Sequence, residues 1–197
     1  MKLLKEIMYN KNPLLILSYL SKNRSQENIS AHISKDLGLG VGSVHQILKL
    51  FEEQGIVQNK RFGKTLVYDL DKNSPLVKTF RVFDNLLDLD LLFSNLKKHC
   101  RKIILFGSCA IGTDSDNSDI DIFVVTDMDD KDKVFSIISA FHSDREIKPI
   151  VVDTIELMEI ENNDSVFYNE IMKGIEIWEG TYGHNWRFSK EKQTKKG

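Results

Sequence analysis

Between Lys102 and Val125 two short apolar runs, Ile103–Phe106 and Ile120–Val125, enclose a small polar segment that opens with Gly107-Ser108 and closes with Ser118-Asp119-Ile120-Asp121. Each run has the length of a buried strand, and the first ends in a pair suited to a turn into a short helix. Side chains alternate across a strand, so Asp119 and Asp121 share one face while Ile120 and Ile122 take the other. Two carboxylates so placed repel one another unless a cation sits between them. Oxygen ligands beside a phosphate-bearing substrate favour Mg²⁺ for that cation. Gly107 lets the backbone approach a phosphate closely, and Ser108 with the amides of a helix start can donate hydrogen bonds to it. Together these parts could hold a nucleoside triphosphate and its metals for in-line displacement at the α-phosphate.

The surroundings extend this pattern. The spacing predicts a strand over 102–106, a helix from 107, a strand over 119–125, a helix over 131–142 and a strand over 147–152. Helices near 155–161 and 165–172 follow, then a last strand near 174–178. Pro149 cannot donate to a ladder, so the 147–152 strand is expected at a sheet edge. Gly-Ser, about ten residues, then Asp-x-Asp in apolar surroundings resembles the signature of the minimal nucleotidyltransferases of the DNA polymerase β superfamily. Gly107, Ser108, Asp119 and Asp121 match it directly, and Ala110, Gly112 and Ser118 also look like its small-protein branch. The bland alternative is a structural Gly-Ser turn followed by an acidic, calcium-like loop. The resemblance implies nucleotide transfer with Asp119 and Asp121 as catalytic metal ligands, Gly107 and Ser108 on the nucleotide, ATP as substrate and Mg²⁺ as cofactor. It also implies a third carboxylate on a neighbouring strand, and here Lys148 stands where that acid would sit. Glu146, two residues earlier on the same face, is the candidate replacement, and a site with no third acid is the other reading. Asp153 has the opposite parity.

Ahead of this region the period is helical. Leu14, Leu17 and Leu20 predict a helix over about Asn12–Asn23, with Pro13 in its first turn. Ile29, Ile33 and Leu37 predict a second over Gln26–Leu37. After a tight turn at Gly38-Leu39-Gly40, Val41, Val44, Ile47, Leu48 and Phe51 form one face of a third, which Gly55 ends. Leu66, Tyr68 and Leu70 then alternate as a strand, preceded by Ile56-Val57 and a turn near Gly63, so a hairpin closes the segment. Three helices with a tight turn before the third, then a hairpin, resembles a winged helix-turn-helix. That resemblance spans roughly residues 12–72 and implies DNA binding. Ser43, His45, Gln46 and Lys49 would face the major groove, and Lys60, Arg61 and Lys64 at the wing would meet backbone phosphates. Glu52 and Glu53 lie farther along the helix and weigh against very tight binding.

The expected class is therefore α+β, with an N-terminal winged helix-turn-helix (1–74), a linking helix (75–100), a nucleotidyltransferase-like mixed α/β domain (101–183) and a disordered basic tail (184–197). The charge supports the division. Residues 1–75 hold 11 Lys/Arg against 7 Asp/Glu, whereas 76–183 hold 11 against 21. A basic first part suits a polyanion, and an acidic middle suits bound cations. Cys100 and Cys109 form no metal-ligand pattern and are expected reduced and partly buried. No apolar run approaches the ~20 residues of a membrane span, and no secretory leader is evident, so a cytoplasmic location with no membrane partner is expected.

Two functions follow. The first is an enzyme moving a nucleotide, AMP by preference, onto a protein or small-molecule acceptor. The second is a DNA-binding transcriptional regulator whose second domain senses nucleotide or binds a partner without catalysis. An antitoxin that modifies its toxin and regulates its own operon would combine them. A regulator of palindromic DNA would form a homodimer, with the 76–100 segment as its expected interface.

Overall fold

A computed structural model of the chain describes residues 5, 8–22, 28–115 and 117–180. The chain divides into two compact units, Met1–Asp88 with Ile111–Ser118, and Leu89–Ala110 with Asp119–Gly197. Asn23, Gln26 and the basic end from 184 lie outside the described residues.

In the first unit three helices, α1 (Lys11–Lys22), α2 (Ser30–Leu37) and α3 (Val41–Glu53), precede an antiparallel hairpin of β1 (Val57–Phe62) and β2 (Thr65–Leu70). Ile16, Leu17 and Leu20 from α1, Ile33 from α2, and Val44, Leu48 and Phe51 from α3 meet Tyr68 and Leu70 in one buried cluster. The α3 contribution follows helical spacing, which places one apolar stripe inward and leaves the polar stripe outside. Val41, expected on the inner face, is 53% exposed, because it sits at the first position of α3, beyond the packed turn. The hairpin turns on Gly63 and Lys64 between the paired residues Phe62 and Thr65. Gly63 has φ 62, and the first central position of a type II′ turn requires such a positive φ. The buried Asn28 accepts the Tyr68 amide proton through its carbonyl, which ties the start of α2 to the wing.

The segment 75–100, expected as a single link, is two helices: α4 (Pro75–Asp88) in the first unit and α5 (Asp90–Leu96) in the second. Leu89, at φ −95 and ψ −2, breaks the path and is itself buried. Phe83 and Leu87 leave apolar surface exposed on α4. Within the first unit Arg81 of α4 is buried and pairs with the buried Asp114 at 3.4 Å. Nearby, Gly112 (φ 69) approaches α4 so closely that a Cβ there would fall 2.1 Å from the Lys78 carbonyl oxygen.

The second unit is a four-stranded mixed sheet in the order β5-β4-β3-β6: β3 (Lys102–Phe106), β4 (Ile120–Val125), β5 (Ile147–Val152) and β6 (Ile175–Glu179). β3 runs antiparallel to β4 and β6, whereas β4 and β5 are parallel. A parallel pair needs a crossover, supplied by α7 (Lys131–Ala140); the short α6 (Gly107–Ile111) follows β3 directly. α8 (Thr154–Asn163) and α9 (Ser165–Met172) contribute to a core of Ile104, Phe123, Val125, Val152 and Ile171. β5 is an edge strand, as Pro149 requires. Cys100 and Cys109 are unbridged and buried, Cys109 completely. Burial, with Asp130 nearby, pushes the Cys100 thiol up to about 12. Among the described residues no helix is long and apolar enough to cross a membrane.

The buried ion pair supplies a test of the first unit. Arg81→Met leaves the Asp114 carboxylate buried without its guanidinium, and unfolding by denaturant should register a loss of about 3–5 kcal/mol. A loss under about 1 kcal/mol, the range of exposed pairs, would show that this pair is not sequestered from water.

Candidate nucleotide site and nucleic-acid face

The sheet register assembles the chemistry of the second unit. Phe106, the last residue of β3, pairs with Asp121, and Asp121 pairs on its other side with Lys148 at the start of β5. These three therefore lie in one row across the sheet. Asp121 has the parity of Phe123 and Val125, which places it on the α8–α9 face, at the margin of that core. Ile120 and Ile122 point to the other face and are buried. Asp119 and Asp121 are both half-buried. Burial, and next the neighbouring Asp119 charge, raise the Asp121 carboxyl above its ordinary value, against a lowering pull from Lys148.

Gly107 is where the chain leaves β3 for α6, and it has φ 67. A Cβ at this position would fall 2.3 Å from Asp121 Oδ2. The glycine thus clears the space beside the carboxylate as well as permitting a left-handed turn. Ser108 follows it, half-buried, at the second position of α6. Cys109 is completely buried behind them and donates to the Asp119 carbonyl at 3.5 Å.

Lys148 closes the row. Its ammonium lies 2.6 Å from Asp119 Oδ2, and this contact holds its pKa above the usual lysine value. The family resemblance puts Lys148 where an acid would sit; its register partner is Asp121, yet its ammonium closes on Asp119. Glu146 precedes β5 with its side chain exposed; its charge acts on the Lys148 ammonium, and its carbonyl accepts the Ile120 amide proton at 2.8 Å. Among the described residues no three His, Cys, Asp or Glu converge as a metal cluster, so the site offers two carboxylates and one ammonium. Asp153 lies beyond the end of β5, where it caps α8: its side chain accepts from the Ile155 and Glu156 amides and pairs with Lys131.

Two half-buried carboxylates and the cleared space at Gly107 fit one divalent cation with phosphate oxygens beside it. The space beside Asp121 Oδ2, which a Cβ at Gly107 would fill, is the observation behind that fit. A cation would relieve a cost that is present whenever both groups are ionised.

On the first unit Ser43, His45, Gln46 and Lys49 are all exposed along α3, and Lys60, Arg61 and Lys64 are exposed on the hairpin. Glu52 accepts a 2.5 Å hydrogen bond from Asn59 Nδ2, which ties this acid to β1. The seven residues thus fall in two groups, the polar stripe of one helix and the tip of one hairpin.

The Asp121 shift has a sign that can be measured. A carboxyl raised in the folded state costs stability while it is ionised, and the cost disappears as pH falls through the raised value to the ordinary 3.8. In metal-free buffer at pH 7, Asp121→Asn should therefore melt above the wild type, with the gap closing toward pH 3.8. A variant that melts lower at pH 7 would contradict the sign.

Residues 90–181 match the family model described as Polymerase beta, Nucleotidyltransferase. No curated protein matches the chain. Among solved structures, the chain is similar to a predicted DNA-binding transcriptional regulator from E. coli, at 21% identity over 42% of this chain and 84% of that one, with a TM-score of 0.36. The homodimeric winged helix-turn-helix DNA-binding domain of a Mycobacterium bovis protein aligns at 19% identity over 44% and 77%, with a TM-score of 0.37. A candidate nucleotidyltransferase from Sulfolobus solfataricus aligns at 18% identity over 55% and 90%, with a TM-score of 0.34. With the strand–glycine–serine turn and the paired aspartates in place, residues 90–181, just under half of the chain, are similar to the polymerase β nucleotidyltransferase family.

Proposed function

We propose that the second unit binds ATP with Mg²⁺ and transfers AMP to a protein or small-molecule acceptor, and that the first unit binds DNA. The observation that carries the nucleotide reading is the half-buried Asp119/Asp121 pair beside a glycine whose missing Cβ leaves room at Asp121 Oδ2. Asp119 and Asp121 would hold the cation, and Gly107 and Ser108 would meet the phosphates. When bound, the cation supplies charge neutralisation at the transferring phosphoryl group. In the transfer an acceptor oxygen forms its bond to the α-phosphorus, the bond to pyrophosphate breaks, and the acceptor's proton passes to solvent. Asp121, held against the β3–α6 turn, would orient the cation relative to the phosphates. A cytoplasmic setting, with its nucleotide and DNA, goes with this reading.

The Lys148–Asp119 ion pair favours a second reading. A protonated lysine cannot accept the proton of an attacking hydroxyl, and Glu146 is an exposed residue ahead of β5. On this reading the domain binds nucleotide as a signal, and the protein is a DNA-binding regulator. Calorimetric titration of ATP with Mg²⁺ into wild type and an Asp119→Ala/Asp121→Ala variant separates the possibilities. Metal-dependent binding lost in the variant, with pyrophosphate released from labelled ATP, is the expected outcome for the enzyme. Binding without pyrophosphate in the presence of candidate acceptors supports the regulator, and binding to neither form removes both nucleotide readings.

For the first unit, exposed cations at the wing are the basis of the DNA proposal. Replacing Lys60, Arg61 and Lys64 by alanine should weaken duplex binding and reduce the slope of log affinity against log salt by about 2 to 3. An unchanged slope would remove the wing from the DNA contact.

A further inference from the structure

We propose that Lys148 is a built-in counter-ion for the aspartate pair, and that the site therefore takes a divalent cation as its nucleoside triphosphate complex in preference to the bare ion. This inference rests on the nucleotide reading above and concerns how that site is loaded.

The argument starts from placement. The parallel β4–β5 ladder sets Lys148 directly beside Asp121, and the ammonium reaches across to Asp119 Oδ2 at 2.6 Å. Two carboxylates and one ammonium leave a single net negative charge. A bare divalent ion entering here must displace the ammonium from Asp119 and then share the space with it, with only the protein's own Asp121 and Glu146 carboxylates to receive the displaced charge. A metal–triphosphate complex changes that balance. It carries net negative charge, its cation replaces the ammonium at Asp119, and its phosphate oxygens accept the ammonium as it leaves.

The side chain is suited to such an exchange. Lys148 is 54% exposed at its side chain and Asp119 35%, so neither is locked by packing. A lysine ammonium is a point charge on a flexible four-carbon stem, free to pivot between oxygen partners without a fixed fork geometry. Asp119 holds the ammonium, and the charges of Asp121 and Glu146 lie close by. An acid at this position would give the opposite preference, since a third carboxylate strengthens the hold on a bare cation.

The test uses Mn²⁺ as a spectroscopic probe with the full-length chain. Free Mn²⁺ is followed by electron paramagnetic resonance, alone and with α,β-methylene ATP, in wild type, Lys148→Met and Lys148→Arg. Wild type should bind Mn²⁺ weakly alone and more tightly with the analogue. Lys148→Met should bind Mn²⁺ alone about two- to fivefold tighter, the scale of one partly exposed ion pair. The same variant should lose part of the gain that the analogue confers, while Lys148→Arg keeps the wild-type order. If Lys148→Met leaves both affinities unchanged, or weakens Mn²⁺ binding alone, the counter-ion role is wrong and the nucleotide reading survives. If wild type fails to bind the Mn²⁺–analogue complex at all, the nucleotide reading falls and this inference with it.

Discussion

Asp119, the residue before β4, and Asp121 within it stand in Coulombic reach of one another, with Asp121 at the margin of a core that excludes water from one side. Ionising both groups costs energy that a nearby cation must return, and the sheet delivers one in Lys148. The remaining parts of the second unit serve that arrangement. β3 carries the chain to Gly107, whose missing side chain gives Asp121 its room. β4 holds the pair rigidly by burying Ile120 and Ile122 on the opposite face. β5, added in parallel by the α7 crossover, sets what stands beside the pair. Rigid strands place a functional group more tightly than loops do, and here three strand termini converge.

The lysine makes this site different in kind from one with three acids. Three carboxylates attract bare cations and can take up a proton from an attacking hydroxyl. Two carboxylates with an ammonium have less charge to offer and no free base in the row. The same geometry nonetheless leaves space beside Asp121 at the β3–α6 turn. Binding and transfer thus make separate demands on this site. The first needs the aspartate pair and Gly107; the second also needs somewhere for a proton to go.

The first unit rests on an ordinary hydrophobic cluster. Helical periodicity on α3 turns Val44, Leu48 and Phe51 inward and so turns His45, Gln46 and Lys49 outward. The polar stripe is a consequence of the core stripe. The wing follows from β pairing around Gly63, which brings Lys60, Arg61 and Lys64 to one exposed tip. Glu52, an acid on the same helix, is drawn into a hydrogen bond with β1.

Much of this was legible in the residue order. Periodicity located α1 to α3 and the hairpin, and Gly107-Ser108 with Asp119-x-Asp121 located the nucleotide-site candidate, because spacing along a helix or strand is a local property. Pro149 announced an edge strand for the same reason: its missing N–H is local too. What local pattern could not supply was register and side-chain reach. Parity allowed Glu146 beside the aspartates, but the strand begins one residue later and leaves that carboxylate exposed. Asp153 became a helix cap because β5 ends at Val152. The expected link over 75–100 divided at Leu89, which is buried between two helices. The sequence by itself determined which residues could carry chemistry, since their types and periods are written in it. Only the tertiary structure decided that Lys148 rather than an acid closes on Asp119, because strand pairing and Coulomb attraction act between segments the sequence keeps apart.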